Sequence, residues 1–227
     1  MDPTTPTPDR IGLSAVNVGV PAVLADTERE RVWSAIAKTP LPAATTLYLS
    51  LVNLAGDGQA DLMVHGGLDK AVYAYPSEHL GAWATELDEE LGAAPFGENL
   101  STIGVTEADV CIGDVWAWGS AQLEVCQPRS PCFKLALHRR RPDIQQLLRR
   151  NGRTGWYLRV LRPGEVSTDG PITVARRDPL GLTVADAHRS MGDRQVADRE
   201  LMQAVAEHPR LADEWRLPLV ERLGRRA

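Results

Sequence analysis

A single thiol stands between two cations in the segment Gln127-Pro128-Arg129-Ser130-Pro131-Cys132-Phe133-Lys134. Arg129 lies three residues before Cys132 and Lys134 two residues after it, while Pro128 and Pro131 fix φ on the backbone between. Nearby positive charge favours thiolate over thiol, and the thiolate is both the nucleophile and the soft metal ligand. A small buried cysteine in a proline-rich turn would leave the same letters, but two basic neighbours suit an anion site better than an apolar core. Ser130 has no general base beside it in sequence and no Gly-x-Ser-x-Gly turn around it, which argues against acyl transfer.

Two further loops carry polar groups on glycine-bounded backbone. Gly56-Asp57-Gly58-Gln59-Ala60-Asp61 leads into Val64-His65-Gly66-Gly67-Leu68-Asp69-Lys70. Glycine lets main chain approach a ligand closely, and consecutive N–H groups can cradle an anion. His65 adds a donor or a base at the loop mouth, and Lys70 adds charge just before a strand. The same run reads equally as two ordinary turns capped by Asp61 or Asp69. One histidine with no second His or Cys at ligand spacing is not a zinc site. In Phe96-Gly97-Glu98-Asn99-Leu100, Gly97 permits a sharp turn, and the carboxylate and amide that follow can read a heterocycle edge by paired hydrogen bonds. A solvated loop with Asn99 in the left-handed conformation is the alternative there. No Walker or Rossmann glycine pattern occurs.

Short, punctuated apolar runs must position these loops. Residues 15–20, 46–52, 71–75, 114–118, 121–127, 155–161 and 171–176 read as strands, with Ala121, Leu123 and Val125 on one face and Gln122, Glu124 and Cys126 on the other. Gly119-Ser120 signals a hairpin and Pro163-Gly164 another turn. Such strands predict a barrel or a strongly curved mixed sheet, an α+β chain that is mainly β. Pro76 can open a first helix with Leu80, Trp83, Leu87 and Leu91 as its stripe; Pro142 opens a second, stopped at Asn151-Gly152. His79 reads as a partly buried surface residue. After Asp178-Pro179 the pattern changes to three amphipathic helices, 183–191, 193–207 and 212–223, with Pro218 breaking or kinking the last. The expected organisation is a tail at 1–10, a barrel domain at 11–177 and a three-helix module at 178–227.

The whole chain sets limits on what such a site can do. A net charge of −5 argues against a surface that coats nucleic acid, without excluding a local basic pocket. The 43% hydrophobic and 24% charged content can support a real core. Cys111, Cys126 and Cys132 cannot all pair and no two show CxxC spacing, so neither a disulfide framework nor a complete sulfur-ligated metal site is expected. The Thr- and Pro-rich start lacks the apolar stretch of a signal peptide, and no run reaches the ~20 apolar residues of a membrane helix. A cytoplasmic protein is expected. Arg222, Arg225 and Arg226 read as a solvated basic end.

These residues together resemble the MOSC-domain family, related to the C-terminal domain of molybdenum cofactor sulfurases, and look closest to the bacterial subgroup conferring resistance to 6-N-hydroxylaminopurine. The resemblance rests on Ser34-Ala35-Ile36-Ala37-Lys38, Gly56 to Asp61, Val64 to Pro76, Phe96 to Leu100, Gln127 to Lys134 and Thr154-Gly155-Trp156-Tyr157. It runs from about Ile11 to Arg177, and the C-terminal part is similar to a three-helix module often attached to this subgroup. Leu80 departs from it, standing where an aromatic is expected.

The resemblance implies a MOSC β-barrel with peripheral helices that holds a molybdopterin-type molybdenum cofactor, with Cys132 as the thiolate on the metal. A soft thiolate suits a metal already carrying dithiolene sulfur. Arg129 and Lys134 would contact phosphate or pterin, Arg129 by a bidentate fork, with Ser130, Lys38 and Lys70 as further contacts. The backbone at His65, Gly66 and Gly67 would line the pocket, and Glu98 and Asn99 would bind pterin or substrate edges. Cys111 and Cys126 would be packing residues. The implied reaction is reduction of an N-hydroxylated base to the amine, with His65 or Glu98 giving the proton. No flavin or nicotinamide pattern is present and the cysteines are too few for a ferredoxin-type cluster, so a separate flavoprotein or iron–sulfur donor is expected. A cofactor or persulfide carrier without turnover is the alternative. No nucleic acid or membrane partner is expected, and a homodimer is left open.

Overall fold

The structure is a computed structural model that describes residues 9–26, 31–60, 66–192 and 198–224. His65 and Asp61, most of the expected tail, the start of the second C-terminal helix, and Arg225 and Arg226 lie outside the described residues. In chain order the strands are β1 (Arg10–Val18), β2 (Ala22–Asp26), β3 (Arg31–Ser34), β4 (Thr39–Pro40), β5 (Thr46–Leu49), β6 (Val72–Pro76), β7 (Leu100–Ile103), β8 (Val115–Trp118), β9 (Ala121–Pro128), β10 (Trp156–Arg162), β11 (Gly164–Ser167) and β12 (Ile172–Arg176). The helices are α1 (Leu80–Leu87), α2 (Phe133–Arg139), α3 (Ile144–Asn151), α4 (Val184–Ser190), α5 (Arg199–Ala206) and α6 (Asp213–Gly224).

Seven strands close a barrel in the order β12-β8-β9-β10-β6-β7-β1, and β1 returns to β12 through Arg10↔Thr173 and Ile11↔Ile172. Closure leaves those strands without free edges. All barrel pairs are antiparallel except β6 with β7. Alternation on β8 and β9 sends Trp116, Trp118, Leu123 and Val125 into the core. The other face of β9, expected to be the polar one, is covered as well. Arg159 Nη1 donates to Glu124 at 3.1 Å, and Cys126 Sγ donates to the Asp69 carbonyl at 3.2 Å. The hairpin at Gly119-Ser120 forms as expected, with Gly119 at φ 56 and the Glu165 carbonyl where a Cβ would stand.

Helices α4–α6 form the C-terminal three-helix region. Its apolar residues Val184, Met202, Val205, Trp215 and Leu219 belong to the same buried cluster as the barrel interior. The region is pinned by a Cys111↔Thr183 bridge and by the Ala212 N–H donating to the Cys126 carbonyl at 3.0 Å. Pro218 lies inside α6 without ending it. Among the described residues no helix is long and apolar enough to cross a membrane.

Three local expectations need correction. Pro76 does not open a helix: its parallel pairing with Thr102 keeps it extended, a 3-10 turn at Ser77–His79 follows, and α1 starts at Leu80. Residues 133–139, which had no helix assigned, form α2, because Phe133, Leu135 and Leu137 alternate like a strand and no usual N-cap residue precedes them. Strands β2, β3, β4, β7 and β11 are too short for alternation to declare itself.

Candidate functional site

Strand β9 ends at Pro128, and the stiff turn that follows delivers Cys132 to the residue before α2. Cys132 is extended there (φ −109, ψ 170), its carbonyl accepting the Leu135 N–H at 3.0 Å while its side chain caps nothing. The thiol is half-buried and lines a cavity of about 90 Å³. Arg129, Lys134, Lys38, Lys70 and Asn99 line the same cavity. Five of the side chains singled out in the sequence, drawn from four separate loops, thus meet Cys132 in one place.

Arg129 is buried at 5% exposure. Its guanidinium lies over the Tyr73 ring, 5.3 Å from the centroid, and its backbone N–H donates to the Gly155 carbonyl at 3.1 Å. Burial works against the charge, but Tyr73, Tyr157 and Cys132 together hold its pKa above the usual value. Among the described residues its Nη1 has no hydrogen-bond partner. A buried charged donor left unmade is costly, so an acceptor is expected beside it when the site is filled.

Lys38 forms a close ion pair with Asp57, and both side chains are almost wholly buried. Burial pulls the Lys38 pKa down, with Asp57 opposing. Asp57 Oδ1 also accepts the Gly19 N–H at 2.8 Å, and its Oδ2 accepts from Asn99 Nδ2 at 2.9 Å. Asn99 gives its other amide hydrogen to the Asn17 carbonyl at 3.2 Å and accepts the Tyr73 N–H through Oδ1 at 3.1 Å. Its two donors are therefore spent on β1 and on the Gly56-Asp57-Gly58 loop, and its acceptor on β6. Asn99 acts as the tie that orients Asp57, and through it Lys38, in the wall of the cavity.

Glu98 departs from expectation. It is 1% exposed and lies outside the cavity lining. One carboxylate oxygen accepts the Phe96 N–H at 3.1 Å and the other the Ser101 hydroxyl at 3.3 Å. Burial pushes its pKa up to about 6. The carboxylate clamps the turn at Gly97, where φ is 80 and an added Cβ would meet Ile36 at 2.5 Å. Ser130 is exposed and faces a different cleft from Cys132. Gly66 and Gly67 lie outside the cavity lining, so the backbone approach there comes from Gly58-Gln59-Ala60. Burial also raises the pKa of Cys111 to about 11, and that of Cys126 further. Of the three thiols, Cys132 alone lines this cavity.

Tyr73 and Tyr157 were not singled out as site residues, although both stand in the cavity wall. They are register partners across β6 and β10, their rings 5.3 Å apart. The signal was available in two strand segments with two aromatics each, but only pairing puts Tyr73 and Tyr157 side by side. Glu214 was missed too: its Oε2 lies 2.5 Å from Lys70 Nζ and accepts from Gln127 Nε2 at 3.2 Å.

Among the described residues no group of three or more His, Cys, Asp or Glu could hold a metal ion by itself. A metal here would have to bring most of its own ligands and take one sulfur from the protein. That donor set fits a dithiolene-bound molybdenum, and the unpartnered Arg129 Nη1 fits the group's acidic or pterin end.

Comparison with known proteins gives consistent results. A sequence profile of the MOSC domain matches residues 61–173. Over 217 residues, 96% of each chain, the sequence is 36% identical to the uncharacterized protein YflK of Bacillus subtilis. It is 48% identical over 147 residues to protein YiiM of Escherichia coli, covering 63% of this chain and 65% of that one. A Gibberella moniliformis protein named reductase is 33% identical over 155 residues, 66% of this chain but 28% of that longer protein. The crystal structure of YiiM from Geobacillus stearothermophilus superposes with a TM-score of 0.77 at 32% identity, covering 94% of this chain and all of that one.

Proposed function

The chain belongs to the MOSC-domain family, and we propose that its barrel holds a molybdopterin-type molybdenum cofactor with Cys132 as the protein's sulfur ligand. The observation that carries this reading is the pairing, in one cavity wall, of a half-buried thiol and a buried guanidinium with an unmade hydrogen bond. Cys132 would hold the metal, while Arg129 and Lys134 would bind the phosphate or pterin. Lys38 is held by Asp57, Asn99 and the Glu98-clamped turn, so it contributes fixed positive charge at little further entropic cost. When bound, the cofactor supplies two-electron oxygen-atom chemistry. Glu98, the expected proton donor among the described residues, lies outside the cavity lining, which favours holding or delivering the cofactor, or a persulfide on Cys132, over turnover.

A catalytic reading is favoured by the relative named reductase, most of whose length has no counterpart here. On that reading the chain reduces an N-hydroxylated base such as 6-N-hydroxylaminopurine: the N–O bond breaks, two electrons and two protons are taken up, and the amine and water leave. The electrons would come from a separate flavoprotein or iron–sulfur protein, the donor function that the rest of a longer chain could supply. Protein expressed in cells with intact molybdopterin synthesis should carry molybdenum and pterin. Incubation with a reduced donor and 6-N-hydroxylaminopurine then separates the readings: amine formation supports the reductase, bound cofactor without amine supports the carrier, and absence of bound cofactor or persulfide contradicts both.

A further inference from the structure

Behind the wall formed by Arg129 lies a second and larger cleft, about 600 Å³, where the barrel meets helices α3, α4 and α6. Arg129 lines both cavities. Among the described residues the other charged groups of this cleft are Arg149 and Arg150 from the last turn of α3, joined by His188 from α4 and Trp215 from α6. Among the described residues no carboxylate lines it, although acidic residues outnumber basic ones, 30 to 25, in the chain as a whole.

Hydrogen bonds are missing in the same place. Trp215 is 5% exposed, and its indole nitrogen, which can only donate, has no partner among the described residues. Arg129 Nη1 is in the same condition, and so is Nδ1 of His188, whose Nε2 donates to the Arg149 carbonyl at 2.9 Å. Other unpartnered indoles, those of Trp116 and Trp156, sit in the packed barrel core, where no ligand could reach them. Arg129, His188 and Trp215 are by contrast lining residues of the cleft. Arg149 Nη2 donates to the Pro131 carbonyl at 3.3 Å, so its guanidinium is already oriented toward the Cys132 turn. Met191 and the Trp215 ring add an apolar wall beside this charge.

We propose that this cleft is a binding site for a phosphate dianion, either free phosphate or the terminal phosphate of a nucleotide-sized molecule. Three guanidiniums with no carboxylate among the described lining residues suit a dianion, since guanidinium N–H groups pair with phosphate oxygens. The unpartnered Trp215 indole supplies a directional donor, and the apolar wall accepts a flat ring. This site shares Arg129 with the Cys132 cavity, while Arg149, Arg150, His188 and Trp215 line the cleft alone.

The test is titration of the full-length protein with inorganic phosphate, adenosine 5′-monophosphate and adenosine, followed by the assigned indole N–H resonance of Trp215 and by calorimetry. Phosphate and the nucleotide should move the Trp215 resonance, and Arg149→Gln with Arg150→Gln should weaken binding about tenfold or more. Arg150→Glu, an exposed single change, should do the same without disturbing the Pro131 contact. Lys134→Gln, which alters the other cavity, should leave the Trp215 response intact. A nucleotide that binds more tightly than phosphate identifies a nucleotide-type ligand, and equal affinity identifies phosphate itself. The proposal is overturned if the Trp215 resonance stays still at millimolar ligand, if the arginine variants bind as wild type does, or if Lys134→Gln alone removes all binding.

Discussion

Lys70 Nζ lies 2.5 Å from Glu214 Oε2, so a lysine of the cavity wall is held by the first turn of helix α6. The carboxylate occupies the position that an acidic ligand group would compete for. Glu214 is 41% exposed, so the pair contributes little stability, and Glu214→Ala should change unfolding free energy by less than about 1 kcal/mol. The same substitution should slow loss of an anionic cofactor severalfold by removing its competitor, as measured by the dissociation rate of loaded protein. Faster loss would show that Glu214 positions Lys70 instead of competing for it.

The Lys38–Asp57 pair behaves differently because both partners are buried. Asp57→Ala would strand a buried ammonium and leave the Gly19 N–H and the Asn99 amide unmade, for a cost of about 3–5 kcal/mol. Adding Lys38→Met should recover more than half of that loss in urea unfolding. A double variant no more stable than Asp57→Ala would mean that the stranded charge is not the main penalty.

Glu98 should make stability depend on pH. Burial raises its carboxyl from 4.5 to about 6 in the folded chain. Between those values the folded state keeps a proton that the unfolded chain has released. Stability therefore falls as pH rises through that window, by about 2 kcal/mol in total, and changes no further from this group above it. Glu98→Gln cannot titrate and should flatten the slope of thermal stability against pH between 4.5 and 6. Parallel curves for the two proteins would assign the slope to other groups.

The barrel was legible where strands are long enough to alternate, as at Ala121, Leu123 and Val125, and where Gly119-Ser120 forces a hairpin. It was illegible where the partner decides the conformation. Pro76 is a permissible helix start by its own chemistry and becomes a strand end only because Thr102 lies beside it. The site shows the same division. Cys132, Arg129 and Lys134 are close in sequence, and the bond angles of a short turn keep them close in space. Asn99 and Glu98 carry the groups of ligand-binding residues, yet their hydrogen bonds go to Asn17, Asp57, Phe96 and Ser101. Of these only Phe96 and Ser101 are near in sequence. Tyr73, Tyr157 and Glu214 reach the wall through strand register and helix docking, which local letters do not encode.

The central claim is that Cys132 is the protein's hold on molybdenum, and metal analysis of wild type and Cys132→Ser tests it most directly. Both proteins would be expressed in the same cells with intact molybdopterin synthesis, and their thermal stabilities measured alongside. The account predicts molybdenum in near-stoichiometric amount in wild type and close to none in the serine variant. Equal molybdenum in the two proteins would contradict it.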